Sequence, residues 1–165
     1  MSTRREDIRD AIKTALEDID TSNTYQIDGA AKNYNNTVQS VKEQGDSPEQ
    51  VRNAERPALR FKQRSDEDPA LEPGFQERIV TPWRVYCYPN VDGDPTDLRF
   101  AANGLMDDVK HALYKDIRLC SGCVSGDGQV TFLRITGRDT DEGQLTEQGF
   151  TLVDFETIHH QRTDE

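Results

Sequence analysis

Ile79-Val80-Thr81-Pro82-Trp83-Arg84-Val85-Tyr86-Cys87-Tyr88 places Ile79, Trp83, Val85 and Cys87 at odd positions and Arg84, Tyr86 and Tyr88 at even ones. Alternation with period two marks a strand with two unlike faces. Downstream, Asp94-Pro95-Thr96-Asp97-Leu98 sets a carboxylate where the orphan N–H groups of a helix start need an acceptor, and a proline where a missing N–H costs nothing. The helix that follows carries Leu98, Ala101, Ala102, Leu105, Val109, Ala112 and Leu113 on one stripe of period 3.6, so it packs on a sheet. Two closing strands are expected over Val130 to Thr136 and Phe150 to His159. They join across Gly137 to Gly149, rich in Asp, Glu and Gly, which reads as an exposed, mobile hairpin tip.

Working outward, the N-terminus carries Thr3 and Glu6 in capping-box spacing, with Ile8, Ile12, Leu16 and Ile19 on one side of a helix. Asp20-Thr21-Ser22-Asn23 stops it. Ala31 to Val38 is a weak strand candidate, since only Tyr34 and Val38 offer sheet-like bulk. Pro57 to Arg64 is a better one, with Ala58 and Lys62 on one face, Leu59 and Phe61 on the other, and a proline suited to a strand start. Residues 39–56 and 65–74 read as two long polar loops, candidate contact arms on a small scaffold. The fold class expected is α+β: a small, mostly antiparallel or mixed sheet packed against two α-helices, with long polar loops and a β-hairpin.

The 165 residues read as one domain with no internal repeat. Only 33% are hydrophobic, enough for a thin core, while 31 acidic residues against 20 basic ones give a net charge of −11. Such a surface repels nucleic-acid phosphates and anionic membranes. No apolar run reaches bilayer-spanning length, and Met1-Ser2-Thr3-Arg4-Arg5 leads into a charged helix rather than a signal sequence, so a soluble protein made in the cytoplasm is expected.

Residues with possible chemistry are few. Cys120-Ser121-Gly122-Cys123 has the CxxC spacing of half a zinc site or a redox pair, or holds two ordinary thiols in a Ser/Gly turn. A structural zinc site needs four ligands and would have to recruit two more from Cys87, His111, His159 and His160. Neighbouring strand residues point to opposite faces, so His159 and His160 do not share a metal and are expected at a frayed, solvated end. In each of the acidic pairs Glu17-Asp18 and Asp107-Asp108 at least one member lies on the polar side of a helix, so they read as solvated faces. No phosphate-cradling glycine loop, nucleophile elbow or HExxH stands in the sequence. The expectation is therefore no enzyme, with no catalytic residue, cofactor or metal, and the cysteine pair dispensable.

Arg5 to Leu16, the run Ile79 to Tyr88, Asp92-Gly93-Asp94, the helix Leu98 to Leu113 and the loop Asp116-Ile117-Arg118-Leu119 follow one another in an order that resembles the tail terminator and tail completion proteins of long-tailed bacteriophages. The resemblance covers nearly the whole chain and rests on element order and pattern; the length of the polar insertion after Val38 and the Cys120–Cys123 turn fall outside it. It implies a structural virion protein of the tail or neck, made in the host cytoplasm. Such a protein forms a hexameric ring on the tail tube protein, stops its polymerisation and presents its other face to the head–tail connector. DNA passes through the lumen without specific binding, and no membrane is involved. The contact residues expected are Asp139, Asp141 and Glu142 of the hairpin and Asp66, Glu67 and Asp68 of the preceding loop, because both segments combine mobility, charge and freedom from core packing. Two alternatives stand beside it: a head–tail adaptor of the same virion, and a cytoplasmic metal- or thiol-dependent domain built around Cys87, Cys120, Cys123 and His111.

Overall fold

The computed structural model describes residues 4–44, 51–64, 70–72, 76–90, 95–115, 132–141 and 150–162. In chain order they form α1 (Arg4–Glu17), β1 (Thr24–Ile27), β2 (Ala30–Asn33), β3 (Ser40–Glu43), a 3-10 turn (Asn53–Glu55), β4 (Ala58–Gln63), β5 (Ala70–Glu72), β6 (Gln76–Tyr88), α2 (Pro95–Lys115), β7 (Phe132–Asp141) and β8 (Phe150–Arg162). The α+β class expected from the sequence is the one observed. The main sheet runs β3-β4-β6-β8-β7, with β5 added to the far end of β6, and β1-β2 form a separate ribbon. Only β3 and β4 run parallel; the other neighbours in the sheet are antiparallel.

Alternation along β6 divides the molecule into two layers. Trp83, Val85 and Cys87 are buried on the face covered by the helices, where they meet Leu59 and Phe61 of β4 and Val153 and Phe155 of β8. Ile8, Ile12, Leu16 and Ile19 close this core from α1, and Leu105, Val109, Ala112 and Leu113 from α2. Both helical stripes thus land as their spacing requires. On the opposite face Tyr86 and Tyr88 pack with Val51, Ala58 and Leu152 in a smaller cluster. Pro82 is tolerated inside β6 because β4 ends at Gln63, opposite Trp83, so the missing N–H falls where that ladder stops.

Several expectations are corrected. The segment read as a loop over 39–56 contains β3, parallel to β4, and that read as a loop over 65–74 contains β5. The weak strand placed over 31–38 is strand only at its start, where β2 ends at Asn33, and it pairs with β1, a strand not expected, across a turn of Asp28 and Gly29 at φ of 50° and 80°. Two successive positive φ values suit the right-handed twist of a tight hairpin. Residues 137–141 of the segment read as a hairpin tip are strand instead, because β7 passes a bulge between Ile135 and Gly137 and stays paired to Asp141, and residues 142–149 lie outside the described residues. At the other end β8 runs to Arg162, so His159 is not at a frayed, solvated end but buried. The caps at Thr3 and Asp94 lie outside the described residues. No helix among the described residues is long and apolar enough to cross a membrane.

Candidate functional site

The face of the sheet away from the helices is built from charged pairs held by register. Arg84 and Asp154 are direct partners across β6 and β8, and the guanidinium donates from Nε to Oδ1 at 2.7 Å and from Nη2 to Oδ2 at 2.8 Å. The hydrogen bond to Asp154 raises the Arg84 pKa above its ordinary value, and Arg64 adds a second cation at 3.6 Å from the carboxylate. Two rows along, on the same face, Arg134 of β7 donates to Glu156 of β8 at 2.8 Å. Nearer β3, Arg60 is buried and donates to Ser40 Oγ at 2.8 Å, with Glu55 at 3.7 Å. Arg56 lies over the Tyr88 ring at 5.6 Å and donates to the carbonyls of Val51 and Pro89. Burial lowers its pKa from the ordinary value.

Under the helices sits a second polar device. Asp108 of α2 is fully buried and accepts four hydrogen bonds, from the backbone N–H and side-chain amide of Asn35 at 2.9 Å each and of Asn36 at 2.9 and 2.8 Å. This corrects the solvated reading of Asp107-Asp108, which holds for Asp107 alone. The sequence carried a signal: Asp108 falls between Leu105 and Ala112 at helical spacing, inside the apolar stripe. Beside the clamp, Tyr25 stacks on His111 at 4.2 Å and tilts against Tyr34 at 4.9 Å, which fastens the β1-β2 ribbon to α2. Burial lowers the His111 pKa and raises that of Tyr25.

Tyr34 is 3% exposed, its hydroxyl has no acceptor among the described residues, and burial with nearby Asp18 and Asp108 pushes its pKa up to about 12. A folded pKa above the unfolded value means stability is complete below the unfolded tyrosine value, about 10, and is lost as pH rises through the folded one. Tyr34→Phe is expected to flatten the loss of stability between roughly pH 10 and 12 and to leave the pH 7 value within about 1 kcal/mol of the parent. Urea unfolding at the two ends of that window checks it; an unchanged alkaline slope would contradict the assignment.

Of the expected contact residues, Asp139 is exposed near the end of β7 and Asp141 is that strand's last residue. Glu142 and Asp66, Glu67 and Asp68 lie outside the described residues, as do Cys120 and Cys123. Cys87 is buried in the core, where desolvation pushes its pKa up to about 12, whereas His111 is engaged with Tyr25. Among the described residues no three His, Cys, Asp or Glu side chains are gathered as a metal would need.

The sheet ends in two dissimilar edges. At one, β7 carries its bulge, and beside it Ile135 donates its backbone N–H to the Tyr114 hydroxyl of α2 at 3.2 Å rather than to a strand. Bulges and capped donors are ways of discouraging strand addition. At the other edge, β3 and α1 border a cleft of about 390 Å³ lined by Arg9, Asp10, Lys13, Val41, Lys42, Glu43 and Phe61. Neither β3 nor β7 has a second strand neighbour among the described residues. The sequence matches no protein-family model and no curated protein.

Proposed function

We propose that the chain is a structural virion protein, a ring-forming tail terminator that caps the tail tube, stops its polymerisation and forms the head–tail joining surface. It acts by contact rather than by catalysis, and its partners are further copies of itself, the tail tube protein and the head–tail connector. The observation that carries this reading is a sheet with helices on one face and both edges, β3 and β7, without a strand neighbour among the described residues. Unpaired strand edges are templates on which further copies can add laterally, on β7 at the end past its bulge. The element order that resembles the terminator family and the net charge of −11, which suits a lumen that must not hold DNA, agree with it.

The test is loss of the protein from an assembling phage. An absent cap leaves the addition site of the tube open, so tails longer than normal and unjoined, DNA-filled heads are expected by electron microscopy. Tails of normal length that never join would move the assignment to a head–tail adaptor. Reversal of Asp139, which is exposed, together with Asp141 and Glu142 is expected to lower joining while thermal stability stays within about 0.5 kcal/mol of the parent. Full infectivity of that triple variant would remove the hairpin from the contact surface.

A further inference from the structure

The two edges of the sheet match each other, row by row. Following the registers across the strands, Lys42 of β3 lies on the row Arg60, Tyr86, Leu152, Asp139, and Glu43 lies on the row Phe61, Val85, Val153, Arg138. Each row therefore ends in opposite charges. The faces agree as well. Glu43 approaches Arg9 of α1 at 3.9 Å and Arg138 approaches Asp107 of α2 at 3.7 Å, both on the helical side. Lys42 pairs with Glu55 on the other side, where Asp139 belongs by its register with Leu152.

Backbone directions match too. Gln44 donates its N–H to Phe61 O, so by strand alternation the polar groups of Val41 and Glu43 face away from β4. On β7 the Ile135 N–H faces outward to Tyr114. Counting across the bulge, Gly137 and Asp139 face β8, which turns the polar groups of Arg138 and Thr140 outward. Strand β7 also runs opposite to β3.

We infer that the end of β7, Arg138–Asp141, in one copy adds antiparallel to β3 of a second copy, with Val41 opposite Thr140, Lys42 opposite Asp139 and Glu43 opposite Arg138. The occupant of the β3 edge is thus another copy of this chain. The outward backbone groups of Val41 and Glu43 meet those of Thr140 and Arg138, and the two charge pairs form on opposite faces of the joined sheet. The guarded part of β7, at Ile135 and its bulge, lies beyond the contact and limits it to four residues. Because the contact joins unlike edges it is heterologous, so it propagates in one direction and closes into a ring when the rotation per copy allows. The existing exposed pairs of Lys42, Glu43 and Arg138 are individually weak and exchange readily.

This inference rests on the ring-forming reading above, and its test is independent of tails. Glu43→Arg and Arg138→Glu each juxtapose like charges and are expected to weaken self-association of the purified protein about tenfold or more. The double variant exchanges the charges at every contact and is expected to assemble as the parent does. Thr140→Pro removes an outward N–H and no bond to β8, and is expected to give a folded monomer by circular dichroism and native mass spectrometry. A parent that stays monomeric, single variants that assemble like the parent, or a double variant no better than either single one would overturn the edge pairing. Overlong tails on loss of the protein, together with rings that survive Glu43→Arg, would keep the terminator reading and discard this contact.

Discussion

Asp108→Ala is expected to destabilise the protein by about 3 kcal/mol or more, a large share of the roughly 5–15 kcal/mol typical of a domain. The carboxylate is fully buried and accepts four hydrogen bonds. Bonds to an ionised acceptor contribute more than neutral ones, and removing the carboxylate leaves the part-buried donors of Asn35 and Asn36 without their acceptor. Asp108→Asn keeps the shape but turns an amide NH2 toward donors, so it is expected to fall between alanine and the parent. Asn35→Ala is milder, about 1 kcal/mol, because the backbone N–H of residue 35 stays in place. The effect also has a location. A two-stranded ribbon is marginal alone, and β1-β2 is held by this clamp and by the stack of Tyr25 on His111. Amide exchange in Thr24–Asn33 is therefore expected to rise before the main sheet opens. Urea unfolding with exchange read residue by residue checks both; a loss below about 1 kcal/mol would mean that the clamp adds nothing to stability.

The helices and the central strands were legible because large apolar side chains recur at one period over many residues. Ile8, Ile12, Leu16 and Ile19 announce α1, and Trp83, Val85 and Cys87 announce the inner face of β6. The edge strand β3 was not legible, since Ser40-Val41-Lys42-Glu43 needs only Val41 for the core and leaves its other residues to solvent and neighbours. In β1-β2 only Tyr25 is buried, and there the available signal was the Asp28-Gly29 turn rather than hydrophobicity. Asp108 was misread because charge on a helix argues for solvent unless the partner is known. Its partners stand more than seventy residues away in Asn35 and Asn36, a pairing no local pattern announces. The charge match between the β3 and β7 edges is likewise invisible in one dimension, because it depends on registers through three intervening strands. The surfaces proposed for assembly are thus set by tertiary placement, and the core by local pattern.

Trp83→Ala is expected to cost about 3–5 kcal/mol, within the range for emptying an aromatic site in a core. Trp83, 1% exposed, faces the helices from the middle of β6. Its ring stacks on Phe155 of β8 at 6.4 Å and tilts against Phe61 of β4 at 6.5 Å, so one side chain ties three adjacent strands together. The indole Nε1 also donates to the Thr157 hydroxyl at 3.0 Å, which separates two contributions that a single truncation would merge. Trp83→Phe keeps most of the aromatic contact and removes only that donor together with part of the volume. It is expected to lose about 1–2 kcal/mol, and adding Thr157→Val is expected to recover some of the loss, because both polar partners are then gone. The chain has one tryptophan, so the parent's fluorescence reports this site alone, while the variants are followed by far-ultraviolet circular dichroism. At this chain length each kcal/mol moves the midpoint by about 2–4 °C, so Trp83→Ala is expected to melt roughly 6–20 °C below the parent. A Trp83→Phe variant as unstable as Trp83→Ala would put the stabilisation in the hydrogen bond to Thr157 rather than in the contact among three strands. A Trp83→Ala protein that keeps the parent's midpoint would mean that the core does not depend on this residue.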